Sequence, residues 1–210
     1  QKDISLAIQY KSNPAWNVLA LENIKYLYEI GLRLLSKNEI NSFNLTLRYI
    51  HDVYIKHLSL RYEHIIRLPT DFWGTYTFED EGFSTKVLEY FESISNRLIQ
   101  EKRKENIYYL LSVYENLIAN LVHFKYADKN PSAQGENPIQ NLVLGYYLGL
   151  ITKLVQTKER DWIWESIKSV SKVSDITLKV NHSHFNHNQI NRTLDEIMRS
   201  CLLVEGQEAF

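Results

Sequence analysis

The sequence predicts an all-α protein, built from antiparallel helical hairpins stacked as an α-solenoid or a compact bundle of about six to eight helices. Three observations carry this. Only 7 Gly and 4 Pro occur in 210 residues, so few positions can break a long helix. Apolar residues recur at spacings of three and four, which marks one buried helical face. The same apolar register returns after 64 residues and again after a further 56, through two helices and the turn between them.

In chain order, a short leading helix is expected at about residues 3–11. The first hairpin, about residues 14–66, opens at Asn13-Pro14, where Asn serves as an N-cap and Pro suits the first helical turn. Its first helix puts Ile24, Leu27, Ile30, Leu34 and Leu35 on one face, and its second carries Phe43, Leu47, Ile50, Val53 and Leu58. Between them lies the polar turn Ser36-Lys37-Asn38-Glu39. His51, His57 and His64 share the second helix. Later copies carry Leu121 and Thr177 where the first has His57, so His57 is expected to be semi-buried and hydrogen-bonded.

Residues 67–83, "RLPTDFWGTYTFEDEGF", read as a linking loop rich in aromatic residues. A loop of this length and kind either covers the core or presents anchors to a partner. Phe72, Trp73 and Tyr76 are therefore candidate partner-binding residues. The second hairpin, about 84–126, repeats the pattern with Leu88, Phe91, Ile94, Leu98 and Ile99, then Ile107, Leu111, Tyr114, Leu117 and Val122. Asn130-Pro131 belongs to the loop that follows. The third hairpin, about 138–180, opens at Asn137-Pro138 and carries Leu144, Tyr147, Leu150, Leu154 and Val155, then Ile163, Ile167, Val170, Val173 and Leu178. Arg33, Arg97 and Lys153 coincide just before the three turns. Gly31 and Ser95 also coincide, and their small size would let paired helices approach closely. Ile151 at the same place in copy three implies a looser contact. A closing helix at about 188–204, with Ile190, Leu194, Ile197, Met198 and Cys201, is expected to cap one end as the leading helix caps the other. The whole, 1–210, reads as a single helical domain, because a lone hairpin cannot bury its own apolar faces and neighbours must share a core.

In unit length and helix–turn–helix plan, residues 14–180 resemble the tetratricopeptide and HEAT-type helical repeat families. The likeness is architectural: the tetratricopeptide pattern of Trp, Leu-Gly, Tyr, Ala and Pro at fixed offsets is not reproduced. The plan also resembles the soluble helical portions of some bacterial membrane proteins, where hairpins of the form "EIGLRLLSKNE" follow an anchor. That likeness implies a place on the cytosolic face of a membrane.

Composition excludes several classes. With 24 Lys plus Arg against 25 Asp plus Glu, the chain lacks the basic excess that phosphate-backbone binding needs, so no nucleic-acid partner is expected. The run Lys102-Arg103-Lys104 is flanked by Glu101 and Glu105 and reads as a solvated turn. Cys201 is the single cysteine, which rules out an internal disulfide and favours a reducing, cytoplasmic location. It lies in the apolar run "MRSCLLV" and reads as a structural thiol. The longest uncharged stretch, 137–152, is too short and polar to cross a bilayer. The opening "QKDISLAI" has neither an initiator Met nor a leader, so the sequence is expected to be a piece of a longer chain, with an upstream anchor as one arrangement.

Two further candidate sites stand out. "NHSHFNHN" places His182, His184 and His187 within six positions, and neutral imidazole is a common metal ligand. Asp195, about two turns beyond His187, could add a carboxylate. Rich in Asn and Ser between two predicted helices, the stretch also reads as a polar connecting loop, and no cofactor is expected. Tyr146 and Tyr147 sit in "NLVLGYYLGLI", a segment apolar nearly all round and thus the candidate seam for a partner or for a homo-oligomer. No glycine-rich loop follows a strand, which excludes nucleotide binding of the Rossmann or P-loop kind. The expected function is a non-enzymatic protein-interaction or regulatory domain that takes a protein or peptide partner. The alternative is a small helical metalloprotein or metal-dependent hydrolase using His182, His184, His187 and Asp195.

Overall fold

The computed structural model describes residues 15–65, 73–121 and 138–180, together with 188, 190–195 and 197–201 near the C-terminus. They form α1 (Ala15–Ser36), α2 (Ile40–Ile65), α3 (Trp73–Gln100), α4 (Lys104–Leu121), α5 (Pro138–Gln156) and α6 (Arg160–Val180). The described residues between 188 and 201 are helical as well, and no strand occurs among the described residues. Pro138 is the first residue of α5, where a helix has no use for an amide and proline's fixed φ is already suitable. The leading helix expected at 3–11 lies outside the described residues.

The three hairpin turns share a left-handed residue at one place. Asn38, Lys102 and Lys158 each adopt a positive φ, of 61°, 54° and 59°, at positions separated by the same 64 and 56 residues as the apolar register. At the first turn the Asn38 amide donates to Leu35 and the Glu39 amide to Leu34; at the second, Lys102 donates to Ile99 and Arg103 to Leu98. This left-handed cap satisfies carbonyls that the ending helix leaves open. The third turn keeps the Lys158 to Val155 bond, but its Glu159 amide donates to Thr157 Oγ1 instead. The next helix then starts at once, with Phe43, Ile107 and Ile163 donating to the carbonyls of Glu39, Arg103 and Glu159.

The hairpins stack in order. α1, α3 and α5 lie side by side in one layer and α2, α4 and α6 in the other. Hairpin 2 touches both neighbours, whereas hairpins 1 and 3 do not touch each other among the described residues. One continuous core runs between the layers, from Ile24, Phe43 and Tyr54 through Phe91 and Tyr114 to Tyr147, Trp162 and Val170. Ile190 and Ile197, seven residues apart on the closing segment, join this core beyond hairpin 3. Consecutive turns are stitched along one edge: Arg103 donates to Asn38, Lys102 pairs with Glu159 at 3.0 Å, and Lys104 with Asp161 at 2.7 Å. The basic run of the second turn is thus spread over the turns on either side.

Two expectations are corrected. Residues 73–83 are not loop: α3 begins at Trp73. Asp80, Phe83, Ser84 and Val87 recur at helical spacing and all are buried; this inward face outweighs Gly74 and Gly82, which cost a helix only about 1 kcal/mol each. The close approach expected of both Gly31 and Ser95 occurs only at Gly31, where α1 and α2 are the most closely apposed pair of the three hairpins. Ser95 is buried and its hydroxyl donates to the carbonyl of Glu92 in its own helix.

Candidate functional site

Contacts across the stack give each hairpin a face directed at the one before it. In α3, Tyr90 stacks on Tyr28 of α1 with ring centroids 4.7 Å apart, and Ser93 meets the Tyr28 hydroxyl at 2.9 Å. Phe83 lies against Tyr54 and His57 of α2. In α5, Lys153 donates to Glu92 at 2.6 Å and to Asn96 at 3.0 Å. The other layer does the same: Asn106 donates to Asn44, and Ser169 donates to Glu115. These residues define an upstream face on hairpins 2 and 3.

Hairpin 1 carries the same face with nothing described upon it. Phe83 and Ile139 are 4% and 0% exposed, but their counterpart Leu19 is 63% exposed. Val113 and Ser169 are buried where Tyr49 is 51% exposed. Tyrosine stands at 26, 90 and 146 in all three copies; Tyr90 and Tyr146 are half-buried, and Tyr26 is 66% exposed. Leu45 adds a further exposed apolar side chain beside Tyr49. Scattered surface leucines mean little, but apolar side chains gathered on one face mark an interaction surface. The readable sequence signal was this thrice-repeated tyrosine, together with the fact that an end copy has one neighbour fewer.

The polar residues inside the stack hold hairpins together. Near the connector between hairpins 1 and 2, Arg61 Nε donates to the fully buried Asp80 at 2.8 Å. One helical turn earlier, His57 Nε2 lies 2.7 Å from Asn17 Oδ1. Burial, reinforced by the Arg61 charge, lowers the His57 pKa to about 4, so the ring is neutral and its Nε2–H can donate to Asn17. Burial raises the Tyr54 pKa, against the opposing effect of the Ser84 hydroxyl beside it. Between hairpins 2 and 3 a chain runs from the Tyr147 hydroxyl to Ser169 at 2.8 Å, and from Ser169 to Glu115 at 2.6 Å. The second Glu115 oxygen accepts from Lys172 at 2.6 Å. Desolvation pushes the Tyr147 hydroxyl pKa up, which keeps it a donor. Both sets lie between helices; Tyr147, Ser169 and Glu115 satisfy one another there, and Lys172 reaches Glu115 from the exposed side of α6.

The candidate residues read from sequence are dispersed. Tyr147 is fully buried in the core, because α5 turns Leu144, Tyr147 and Ile151 inward. Tyr146 is half-buried and lines an open groove of about 360 Å³ between α3 and α5, walled by Glu92 and Lys153 and floored by Gly145 and Gly149. Trp73 and Tyr76 belong to the first turn of α3, but their side chains, like the whole of Phe72, lie outside the described residues. So do His182, His184 and His187. Asp195 is exposed on the closing segment, and Cys201 is half-buried there. Among the described residues no group of three His, Cys, Asp or Glu is placed to hold a metal ion. No helix among them is long and apolar enough to cross a membrane. No protein-family model matches the chain, and no curated protein matches it in sequence.

Proposed function

We propose that the chain is a non-enzymatic protein-interaction or regulatory module, a helical-repeat stack on the tetratricopeptide and HEAT-like plan that receives a protein partner on the upstream face of hairpin 1. The observation that carries this reading is the exposure of Leu19, Tyr26 and Tyr49, whose counterparts in the inner hairpins are buried or half-buried against a neighbour. Large aromatic side chains with a wet hydroxyl are the residues that dominate binding energy at protein interfaces. The polar clusters inside the stack offer no comparable opening: Asp80, Ser84 and Tyr147 are without solvent contact. In this reading the module works in the cytosol or at the cytosolic face of a membrane, which the single cysteine supports.

The test is affinity capture from the native cells with the wild-type chain and with Leu19→Lys/Tyr49→Lys. Both positions are exposed, so the variant is expected to keep its helicity and unfolding midpoint while losing a partner that the wild type retains. Capture of the same partners by both proteins would place the interface elsewhere.

A further inference from the structure

Polar groups at the turn end of the stack follow the same one-neighbour-back rule as the apolar ones. Arg97 reaches back from α3 to Ser36 of hairpin 1 at 3.1 Å, and Lys153 reaches back from α5 to Glu92 and Asn96. Just past the turns, Arg103 donates to Asn38 and Glu159 accepts from Lys102. The counterparts in hairpin 1 are Arg33 and Glu39. Both are exposed, and neither side chain makes an ion pair or hydrogen bond with any described residue. They lie at the turn end of the face that carries Leu19, Tyr26 and Tyr49. An apolar strip closed at one end by a cation and a carboxylate is what hairpin 3, with Lys153 and Glu159, sets against hairpin 2; hairpin 2 meets hairpin 1 with two cations at these places, Arg97 and Arg103.

We infer that this face seats a helical hairpin of a partner protein, of the same plan as hairpins 1 and 2, with an acceptor side chain such as Glu opposite Arg33 and a donor such as Lys in its turn opposite Glu39. This rests on the interaction reading above and adds the chemistry of the partner. Continuity with the established interfaces supports it: the contacts required are those that Glu92 and Lys102 make with hairpin 3. Two other occupants fit less well. Residues 1–14, wound as a helix, would span about 21 Å and stop short of Arg33, which lies about 27 Å along α1 from its first residue. A second copy docking head to tail would have to offer the far face of hairpin 3, where Thr193 and Ile197 of the closing segment already lie beside Thr152 and Val155.

The experiment places a second copy of residues 73–134, which is hairpin 2 with its following connector, ahead of Ala15 in place of residues 1–14. In register, the Glu92 and Lys102 of the added copy meet Arg33 and Glu39. The added interface is expected to raise the thermal midpoint by about 5 °C or more relative to the chain lacking residues 1–14. Arg33→Glu should remove part of that gain, and Glu92→Lys in the added copy should restore it. No rise in midpoint, or charge changes that merely add, would overturn the inference. A wild-type dimer that Arg33→Glu dissociates would make a second copy the occupant and overturn it too. So would a loss of midpoint on deleting residues 1–14 that disappears in Leu19→Lys/Tyr26→Lys, which would identify the leading segment. If the charge exchange fails while Leu19→Lys/Tyr49→Lys still loses its captured partner, the interaction reading survives and the hairpin chemistry falls.

Discussion

His57 shows how one side chain records its neighbours. Its copies at the same register are Leu121 and Thr177, so the position belongs to the core, and the imidazole is tolerated there because Asn17 accepts its proton-bearing nitrogen. The folded pKa, near 4, lies below the ordinary 6.5. As pH falls the unfolded chain therefore takes up the proton first. The stability contributed by the neutral ring is complete above about pH 6.5 and is lost between there and about pH 4, by at most about 3 kcal/mol. Chemical denaturation of the wild type and of His57→Leu at both ends of this window is expected to show a smaller acid loss in the variant; equal losses would mean that the ring is charged in the folded state. That His57 would be semi-buried was legible in the sequence, since the register alone places it. The Arg61–Asp80 pair was not. Asp80 sits inside an acidic triplet that looks solvated, and only the early start of α3 turns it inward.

At the level of elements, turns and spacing carry different kinds of information. The turns were readable because polar residues interrupt an otherwise unbroken apolar period at three related places. Their left-handed residues were not foreseeable as Lys102 and Lys158, since glycine or asparagine is the usual choice there. Gly31 lies where α1 packs on α2. A Cβ built on it would lie 3.5 Å from Thr46 Cγ2 and 3.7 Å from the Phe43 ring, which is ordinary contact. Gly31→Ala is therefore expected to be neutral or to stabilise by up to about 1 kcal/mol through helix propensity. Gly31→Ile, the residue that copy three carries there, is expected to destabilise by about 1–3 kcal/mol because α1 and α2 have no room to part. Urea denaturation of the two variants checks both signs; equal effects would show that the pair is not closely set. The start of α3 was not legible in the sequence, because Gly74, Gly82 and a run of aromatics have the composition of a loop. What holds this stretch helical is the inward face formed by Asp80, Phe83 and Val87.

For the whole molecule the order of contacts matters more than their total. Hairpin 2 is held on two sides, and hairpin 1 on one side among the described residues. In such a linear array stability is a sum of unit and neighbour terms. Amide hydrogen exchange is thus expected to be slowest in α3 and α4 and faster in α1 and α2; equal protection throughout would indicate one indivisible unit. The stacked all-helical architecture was visible in the sequence because the apolar period repeats through whole hairpins. The exposed face proposed for binding was not, because exposure depends on which neighbour is missing, and Leu19 has the same apolar character whether or not a helix lies against it. The lack of contact between hairpins 1 and 3 has a mechanical consequence. Among the described residues no contact closes the stack end to end, so a pull applied at its two ends is borne in series. The molecule would yield one hairpin at a time from its ends, lengthening in steps under load while hairpin 2 held to the last.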